Sequence, residues 1–280
     1  MGKYNLAVNQ ILERKEIFAD LINGTLYEGK QVLSPEQLEL ISGQTGILYE
    51  ESPKKTVPLE RRGDIRMKAK LGTYSLILAN ETQNKVHYAM PVRNMLYDAL
   101  EYTKQLQELE KQHKKAGELL KGDEFLSGIT REDRLIPVIT TVLYFGPKWD
   151  GCLSLYELMN VDGLDEEAAF LKKYLPDYKI NLIHASNIEN PEVFHSCLQH
   201  IFCMIKYNTD KKQLYAYVKE HRREINQMDS LEMAAAMILL GEQKRLAKIL
   251  EEKEEEGLDL CTAIDELIED GRKEEREKGL

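Results

Sequence analysis

The fold is decided in the stretch Tyr74-Ser75-Leu76-Ile77-Leu78-Ala79-Asn80-Glu81-Thr82-Gln83. Its first six residues are typical of a strong β-strand, and the polar residues follow at its end. The turn Leu71-Gly72-Thr73 lies before it, and the stretch from Lys54 to Met67 lies before the turn. That stretch is extended, because Pro53 and Pro58 oppose a helix. Two extended segments on either side of a tight turn predict an antiparallel hairpin.

A long amphipathic helix is predicted directly after this hairpin. Met90-Pro91 places a proline in the first turn, and apolar residues then recur with a 3.6-residue period to about Gly117. Residues 135–145 are rich in β-branched side chains and predict a buried strand. The first 150 residues therefore predict the order helix, hairpin, helix, strand.

Further helices are predicted on both sides of this region. Residues 3–23 have helical spacing with Gly24 as a stop, and Ser34-Pro35-Glu36-Gln37 predicts a short helix through Ile41. Beyond residue 150, Ser154–Met159 predicts a short helix and Lys179–His184 a strand. Four more helices are expected at about 191–206, 210–225, 229–241 and 243–276. We interpret the chain as an α/β core (1–150), an integrated α-rich extension (151–242) and an acidic helical tail (243–280).

The net charge of −10 is concentrated at one end of the chain. Residues 251–280 hold 13 acidic and 5 basic residues, a net charge of −8, which leaves about −2 for residues 1–250. Residues 52–72 are basic, with seven Lys and Arg against Glu60 and Asp64. A nearly neutral body with one basic segment is compatible with phosphate binding.

The sequence also predicts where in the cell the protein is located. It has no apolar run of the roughly 20 residues that a membrane span needs, and no secretory signal at its start. Its four cysteines form no C-x-x-C pair. We therefore expect reduced thiols, a cytoplasmic location and no membrane partner.

Polar residues at the hairpin predict a metal site. Asp64 lies in the first extended segment and Glu81 at the end of the second. Strand alternation predicts that Glu81 and Gln83 share one face and that Thr82 lies on the other. Phosphodiester hydrolysis requires a hard cation, and Mg²⁺ prefers carboxylate oxygens. The pattern predicts a divalent-metal site that acts on a phosphate ester.

Gly63-Asp64 followed by Glu81-Thr82-Gln83 resembles the D…ExK motif of the PD-(D/E)XK nucleases. The αβββαβ core of that superfamily fits residues 1–150 if one more strand lies before or within 47–62. The chain further resembles the Rpn (recombination-promoting nuclease, YhgA-like transposase) family. The segments that carry this closer resemblance are Gln83 to Arg93, Tyr97-Asp98, Glu101-Tyr102, Val138 to Gly151, Asn181-Leu182-Ile183, Asn187-Ile188 and the tail ending in Asp270-Gly271-Arg272.

The resemblance implies a role for each motif residue. It implies that Asp64 and Glu81 bind Mg²⁺ or Mn²⁺, with the Thr82 carbonyl as a third ligand. Gln83 stands where the superfamily has lysine. It can orient water, but it carries no charge. The implied activity is metal-dependent DNA cleavage in recombination or transposition.

The superfamily resemblance further implies an acidic residue on the first helix, for which Glu16, Asp20 and Glu28 are candidates. Asp20 is the favoured one, as a ligand for a second metal or its water. Arg93, near a helix N-terminus, and Arg62 are candidate phosphate contacts, and Lys85 is a third candidate for DNA binding. For Arg93, a plain ion pair with Glu81 or Asp98 is an equal alternative.

Two rival functions stay open. The chain could be a nuclease-like fold that binds DNA without cutting it, which the glutamine in place of lysine favours. It could also be an interaction scaffold that does not bind DNA, which the acidic surface favours. The acidic tail could be a solvated helix, which its charge excess favours first, or an intramolecular mimic of DNA. It could also mediate self-association through its last helix, although its apolar residues keep no clean heptad.

Overall fold

The computed structural model of the protein describes residues 5–41, 44–52, 55–62, 65–118, 122–159, 173–208 and 210–240. The strands are β1 (Leu38–Ile41), β2 (Gln44–Ser52), β3 (Lys55–Arg62), β4 (Ile65–Leu71), β5 (Tyr74–Gln83), β6 (Val138–Tyr144) and β7 (Asn181–His184). The helices are α1 (Asn5–Leu12), α2 (Lys15–Thr25), α3 (Met90–Ala116), α4 (Asp123–Ser127), α5 (Leu155–Leu158), α6 (Cys197–Tyr207), α7 (Lys211–Glu220), α8 (Arg222–Ile225) and α9 (Ser230–Leu239).

A five-stranded mixed sheet organises the fold, so the protein is of the α/β class, as predicted. The strand order is β1-β4-β5-β6-β7, antiparallel from β1 to β5 and parallel from β5 to β7. The predicted hairpin is confirmed as β4 and β5, which close with Leu71 opposite Tyr74. Gly72 adopts a φ of 61° in the turn, a conformation that glycine tolerates without steric cost.

The predicted strand from Lys54 to Met67 is in fact two strands with different partners. β3 pairs only with β2, in a separate two-stranded sheet, whereas β4 belongs to the main sheet. In the main sheet, the strand that pairs with β4 on the side away from β5 is β1, which precedes β2 in the chain.

Strand β5 divides its side chains between two layers. Leu76 and Leu78 point into the large apolar core. Ala79 lies on the other face, because its partner on β4, Arg66, contacts α3. Glu81 also contacts α3, through Arg93. The predicted alternation at the end of β5 is therefore confirmed, and one face of the sheet is apolar while the α3 face is polar at its centre.

The apolar core lies on the face opposite α3. It is built by α1, α2, α6 and α9 against the sheet, with Ile11, Phe18, Leu78, Phe202 and Ile238 nearly or completely buried. Residues of 1–150 and of 151–242 thus share one core, and 243–280 lie outside the described residues. None of the helices in the described part of the chain is long and apolar enough to cross a bilayer.

Several predicted helix boundaries were wrong. The helix expected at 191–206 begins only at Cys197, and the one expected at 210–225 is divided into α7 and α8. Ser34–Gln37 does form a capping box, but only a 3₁₀ turn follows, because Leu38 begins the pairing of β1 with β4. The predicted 3–23 helix is divided into α1 and α2. Gly24 does not end α2; a β-carbon there would overlap the Phe194 ring, so glycine permits the close packing of that ring.

The structure surrounds Asp20, a predicted metal ligand, with hydrogen-bond donors. Its buried carboxylate accepts hydrogen bonds from the backbone N–H groups of His195 and Ser196 at 2.8–3.0 Å and from the Ser196 hydroxyl at 2.6 Å. These donors occupy both oxygens and join α2 to the segment that leads into α6. These contacts give Asp20 a structural task, and its role as a metal ligand stays a prediction.

We expect Asp20→Ala to lower the free energy of unfolding by about 1–3 kcal/mol, because it leaves backbone donors without an acceptor. Urea denaturation followed by circular dichroism measures this change. Glu13→Ala, which removes an exposed carboxylate at the end of α1, is the matched control and should change stability little. Equal effects of the two variants would contradict the structural role.

Candidate functional site

The Glu81 carboxylate lies at the carboxyl end of β5, between the sheet and α3. Only 2% of the residue is exposed. Its Oε2 accepts a hydrogen bond from Arg93 Nη2 at 3.1 Å, and the arginine side chain is 29% exposed. A nearly buried carboxylate of this kind requires a positive partner, and Arg93 provides it.

Arg93 reaches Glu81 from the first turn of α3, because the β5–α3 loop returns the helix N-terminus to the carboxyl edge of the sheet. Its guanidinium also lies 5.4 Å from the centre of the Tyr97 ring. Of the two alternatives for Arg93, the structure has the ion pair with Glu81. The phosphate contact stays a prediction.

The two residues after Glu81 lie on opposite faces, as predicted. Thr82 is completely buried on the apolar-core side, where its hydroxyl accepts a hydrogen bond from Asn80 at 3.1 Å. Gln83 lies on the α3 side, half-buried, and makes no side-chain hydrogen bond to any residue that the structure describes. Its amide is available to a ligand.

A row of polar and aromatic side chains crosses the carboxyl edge beside Glu81. Gln83, Tyr144 and His184 are direct neighbours on β5, β6 and β7. The Tyr144 and His184 rings lie 5.1 Å apart, and His184 Nε2 donates to the Gly146 carbonyl at 3.2 Å. Ligands of α/β proteins bind at this edge of parallel strands.

A buried ion pair joins α3 to β4 below this edge. Arg66 is 1% exposed and donates to Glu101 at 3.1 Å. A second Arg66 nitrogen lies 3.5 Å from the Tyr97 carbonyl oxygen. Arg66 was one of the seven cations of the predicted basic segment, but it is turned inward and structural.

Asp98 forms the other half of this buried polar layer. It accepts hydrogen bonds from the Thr140 hydroxyl at 2.6 Å and the Tyr178 hydroxyl at 2.5 Å. Burial raises the pKa of the Asp98 carboxyl, and these hydrogen bonds oppose that rise. Burial and the bond to Asp98 raise the pKa of the Tyr178 phenol. The phenol therefore stays protonated and holds the segment before β7 against α3.

In this layer, the buried Nε atoms of Arg66 and Arg93 have no hydrogen-bond partner among the described residues, and Asn94 lacks partners at both of its polar side-chain atoms. It is completely buried, yet both its amide oxygen and its amide nitrogen have no hydrogen-bond partner among the described residues. Each unsatisfied buried group of this kind costs roughly 1–3 kcal/mol. Such an exception in a native fold requires an explanation, such as a ligand or solvent.

The other predicted site residues are Asp64, Arg62 and Lys85. Asp64 and Gly63 lie outside the described residues. Arg62 ends β3 opposite Gln44, and Lys85 is exposed in the loop between β5 and α3. The structure therefore brings Glu81, Gln83 and Arg93 together.

Sequence reasoning missed the polar layer on α3. Asn94, Asp98 and Glu101 recur at intervals of four and three residues, on the same helix face as Met90 and Tyr97. Three polar residues on an inward-facing stripe conflict with a plain amphipathic pattern. This departure from the amphipathic pattern is visible in the sequence and could have identified the three polar residues.

No group of three or more His, Cys, Asp or Glu residues that could hold a metal ion occurs in the part of the chain that the structure describes. Asp64 lies outside that part, so this absence does not extend to it. Comparison with protein-family models, with curated proteins and with solved structures gave no match.

We expect Glu101→Ala to destabilise the fold by about 3–5 kcal/mol, because it leaves a buried guanidinium without a counter-ion. The double variant Arg66→Met with Glu101→Leu should recover most of that stability, since it removes both charges. Urea denaturation of the two variants provides the comparison.

Glu108→Ala, on an exposed part of the same helix, is the control and should change stability by less than about 0.5 kcal/mol. If the double variant were as unstable as Glu101→Ala, the destabilisation would come from packing and not from the unpaired charge.

Proposed function

We propose that the protein is a Mg²⁺- or Mn²⁺-dependent DNA endonuclease of the PD-(D/E)XK type. The observation that carries the proposal is the Glu81 carboxylate, buried at the carboxyl end of β5 beside Gln83 and Arg93. A charged group is costly to bury, and groups of this kind concentrate at functional sites.

The order of elements supports the assignment. Helix α2 is followed by the antiparallel strands β1, β4 and β5, then by α3 and the parallel strand β6. This is the αβββαβ order of the superfamily that the motif resembles, with β2 and β3 as an insertion. The closer Rpn resemblance adds DNA recombination or transposition as the context.

The residues fit a hard divalent cation. Glu81 supplies a carboxylate oxygen, the ligand that Mg²⁺ prefers. Asp64 would be the second carboxylate: it directly precedes Ile65, whose strand partner Asn80 directly precedes Glu81. The Thr82 carbonyl completes the proposed set, and Asp20, whose oxygens bind backbone donors, is left out of it.

The chain's residues divide the remaining tasks. When bound, the cation supplies Lewis acidity and a nucleophilic water for in-line attack on phosphorus. Gln83 orients that water through its amide. When DNA binds, the Arg93 guanidinium would release the Glu81 carboxylate and bind a phosphate oxygen of the DNA. It would therefore keep an anionic partner in both states. No covalent enzyme intermediate forms.

A groove on the same face offers a path for the DNA backbone. It has a volume of about 310 Å³, and its charged lining residues are Lys68, Lys104, Arg134, Glu101 and Glu108. The two carboxylates are paired with cations outside the lining, Glu101 with Arg66 and Glu108 with Lys111. Neither lysine has an ion-pair partner among the described residues, and Arg134 donates only to backbone carbonyls there. The groove is therefore cationic.

Helical geometry aligns this groove with the site. Arg93 and Lys104 are eleven residues apart on α3, close to three full turns, and so lie on one side of the helix. The rise between them is about 16 Å. That is roughly the span of five base steps along one strand.

A DNA-binding protein without cleavage activity is the second candidate. The ion pair between Arg93 and Glu81 favours it, because the guanidinium neutralises the carboxylate that a cation would need. The uncharged Gln83 favours it as well.

We expect the purified protein to nick supercoiled plasmid with Mg²⁺ or Mn²⁺ and not with EDTA. Asp64→Ala and Glu81→Gln should each reduce the nicking rate at least about 100-fold, because each removes a ligand of the proposed cation. Gel electrophoresis of a time course measures the rate.

The matched control for this assay is Glu132→Gln, an exposed carboxylate with no side-chain partner among the described residues, and its rate should equal that of the wild type. Tight DNA binding without nicking by the wild type would favour the second candidate. Nicking that persists in Glu81→Gln would refute the assigned site.

We expect Lys68→Gln with Lys104→Gln to weaken DNA binding and to flatten its salt dependence. The slope of log K against log salt should fall in magnitude by about 0.9 for each DNA phosphate that the variant leaves without a lysine. Fluorescence anisotropy with a labelled duplex in EDTA measures it. Lys111→Gln with Lys114→Gln, on the exposed side of α3, should leave the slope unchanged.

A further inference from the structure

Asn94 lies on α3 over the centre of the sheet. Met90, one turn before it, packs with Val142 of β6, and Asp98, one turn after it, binds Thr140 of the same strand. Asn94 is therefore held between these two contacts, on the side of α3 that faces the sheet.

The same position places Asn94 in the part of the α3 layer that also holds the Glu81 carboxylate. Val142 pairs directly with Glu81 across β6 and β5. Arg93, the residue before Asn94, makes the ion pair with Glu81. The unpartnered amide and the buried carboxylate thus belong to the same part of the layer between α3 and the sheet.

The amide also has the chemistry of a ligand-binding group. Its oxygen accepts and its nitrogen donates, so it can contact a cation and a phosphate oxygen at once. An apolar residue of similar size would fill the position without two unsatisfied polar atoms. The packing of α3 therefore does not account for an asparagine here.

We propose that Asn94 is a further oxygen donor for the divalent cation of the Glu81 site. The proposal rests on the proposed function, because it takes the cation from that site. It would add a neutral oxygen donor from α3 to the carboxylate of β5, and the Asn94 amide nitrogen would remain available as a donor.

Binding of Mn²⁺ to the full-length chain tests this role without any measurement of activity. Isothermal titration gives the affinity, and thermal unfolding in EDTA gives the intrinsic stability. Asn94→Leu should remain folded, with a melting temperature in EDTA equal to or above that of the wild type, and should bind Mn²⁺ about tenfold more weakly.

Asn94→Asp separates a ligand from a structural residue. It should melt below the wild type in EDTA, because it adds a second negative charge beside Glu81, and Mn²⁺ should restore its melting temperature. Its Mn²⁺ affinity should be at least that of the wild type. Asn226→Leu, an exposed asparagine before α9, controls for the substitution itself.

The inference is overturned if Asn94→Leu binds Mn²⁺ as tightly as the wild type, or if the wild type binds none. It is also overturned if Mn²⁺ fails to stabilise Asn94→Asp. A wild type that binds Mn²⁺ through Asn94 but never nicks DNA would overturn the endonuclease assignment and leave this inference in place.

Discussion

A guanidinium buried between a helix and a sheet constrains the whole α3 face. Arg66 is on β4, and its counter-ion Glu101 is on α3. If either side chain moved away, the other would be left as an unpaired charge in the protein interior. Asp98, Thr140 and Tyr178 extend the same constraint to β6 and to the segment before β7. Polar groups thereby fix the position of α3, and with it the position of Glu81.

The two sides of the sheet consequently contribute different kinds of contact. The side covered by α1, α2, α6 and α9 is an apolar core that supplies most of the favourable burial. The α3 side has fewer apolar contacts and more directional ones, and directional contacts hold side chains in defined positions. The proposed site at Glu81 and Arg93 lies on the α3 side, where the directional contacts are.

Much of the central fold could be predicted because its signals are local. The β4–β5 turn, the start of α3 at Met90 and its end at Gly117 follow from turn residues and from a 3.6-residue period. The 3₁₀ turn at Ser34 could not be predicted, because the pairing of Leu38 with Ala69 overrides a good helix start. The alternation that places Glu81 and Gln83 together is also local.

The partners of the site residues depend on distant parts of the chain. The bonds of Asp20 to the segment 195–196 and of Arg66 to Glu101 span 175 and 35 residues. An acidic residue on the first helix gives the same sequence signal whether it binds a metal or caps a backbone. Only the tertiary fold distinguishes the two roles, and for Asp20 it favours the backbone.

The packing of α1 against α9 has a consequence for biosynthesis. Val8, Ile11 and Leu12 are completely buried in the finished fold, and their helix lies against residues 230–239. Translation at roughly 5–20 residues per second separates these segments by about 10–45 s. During that interval α1 can contact α2 and β5 but lacks the helix that covers the rest of its apolar face, so that face stays exposed on the nascent chain.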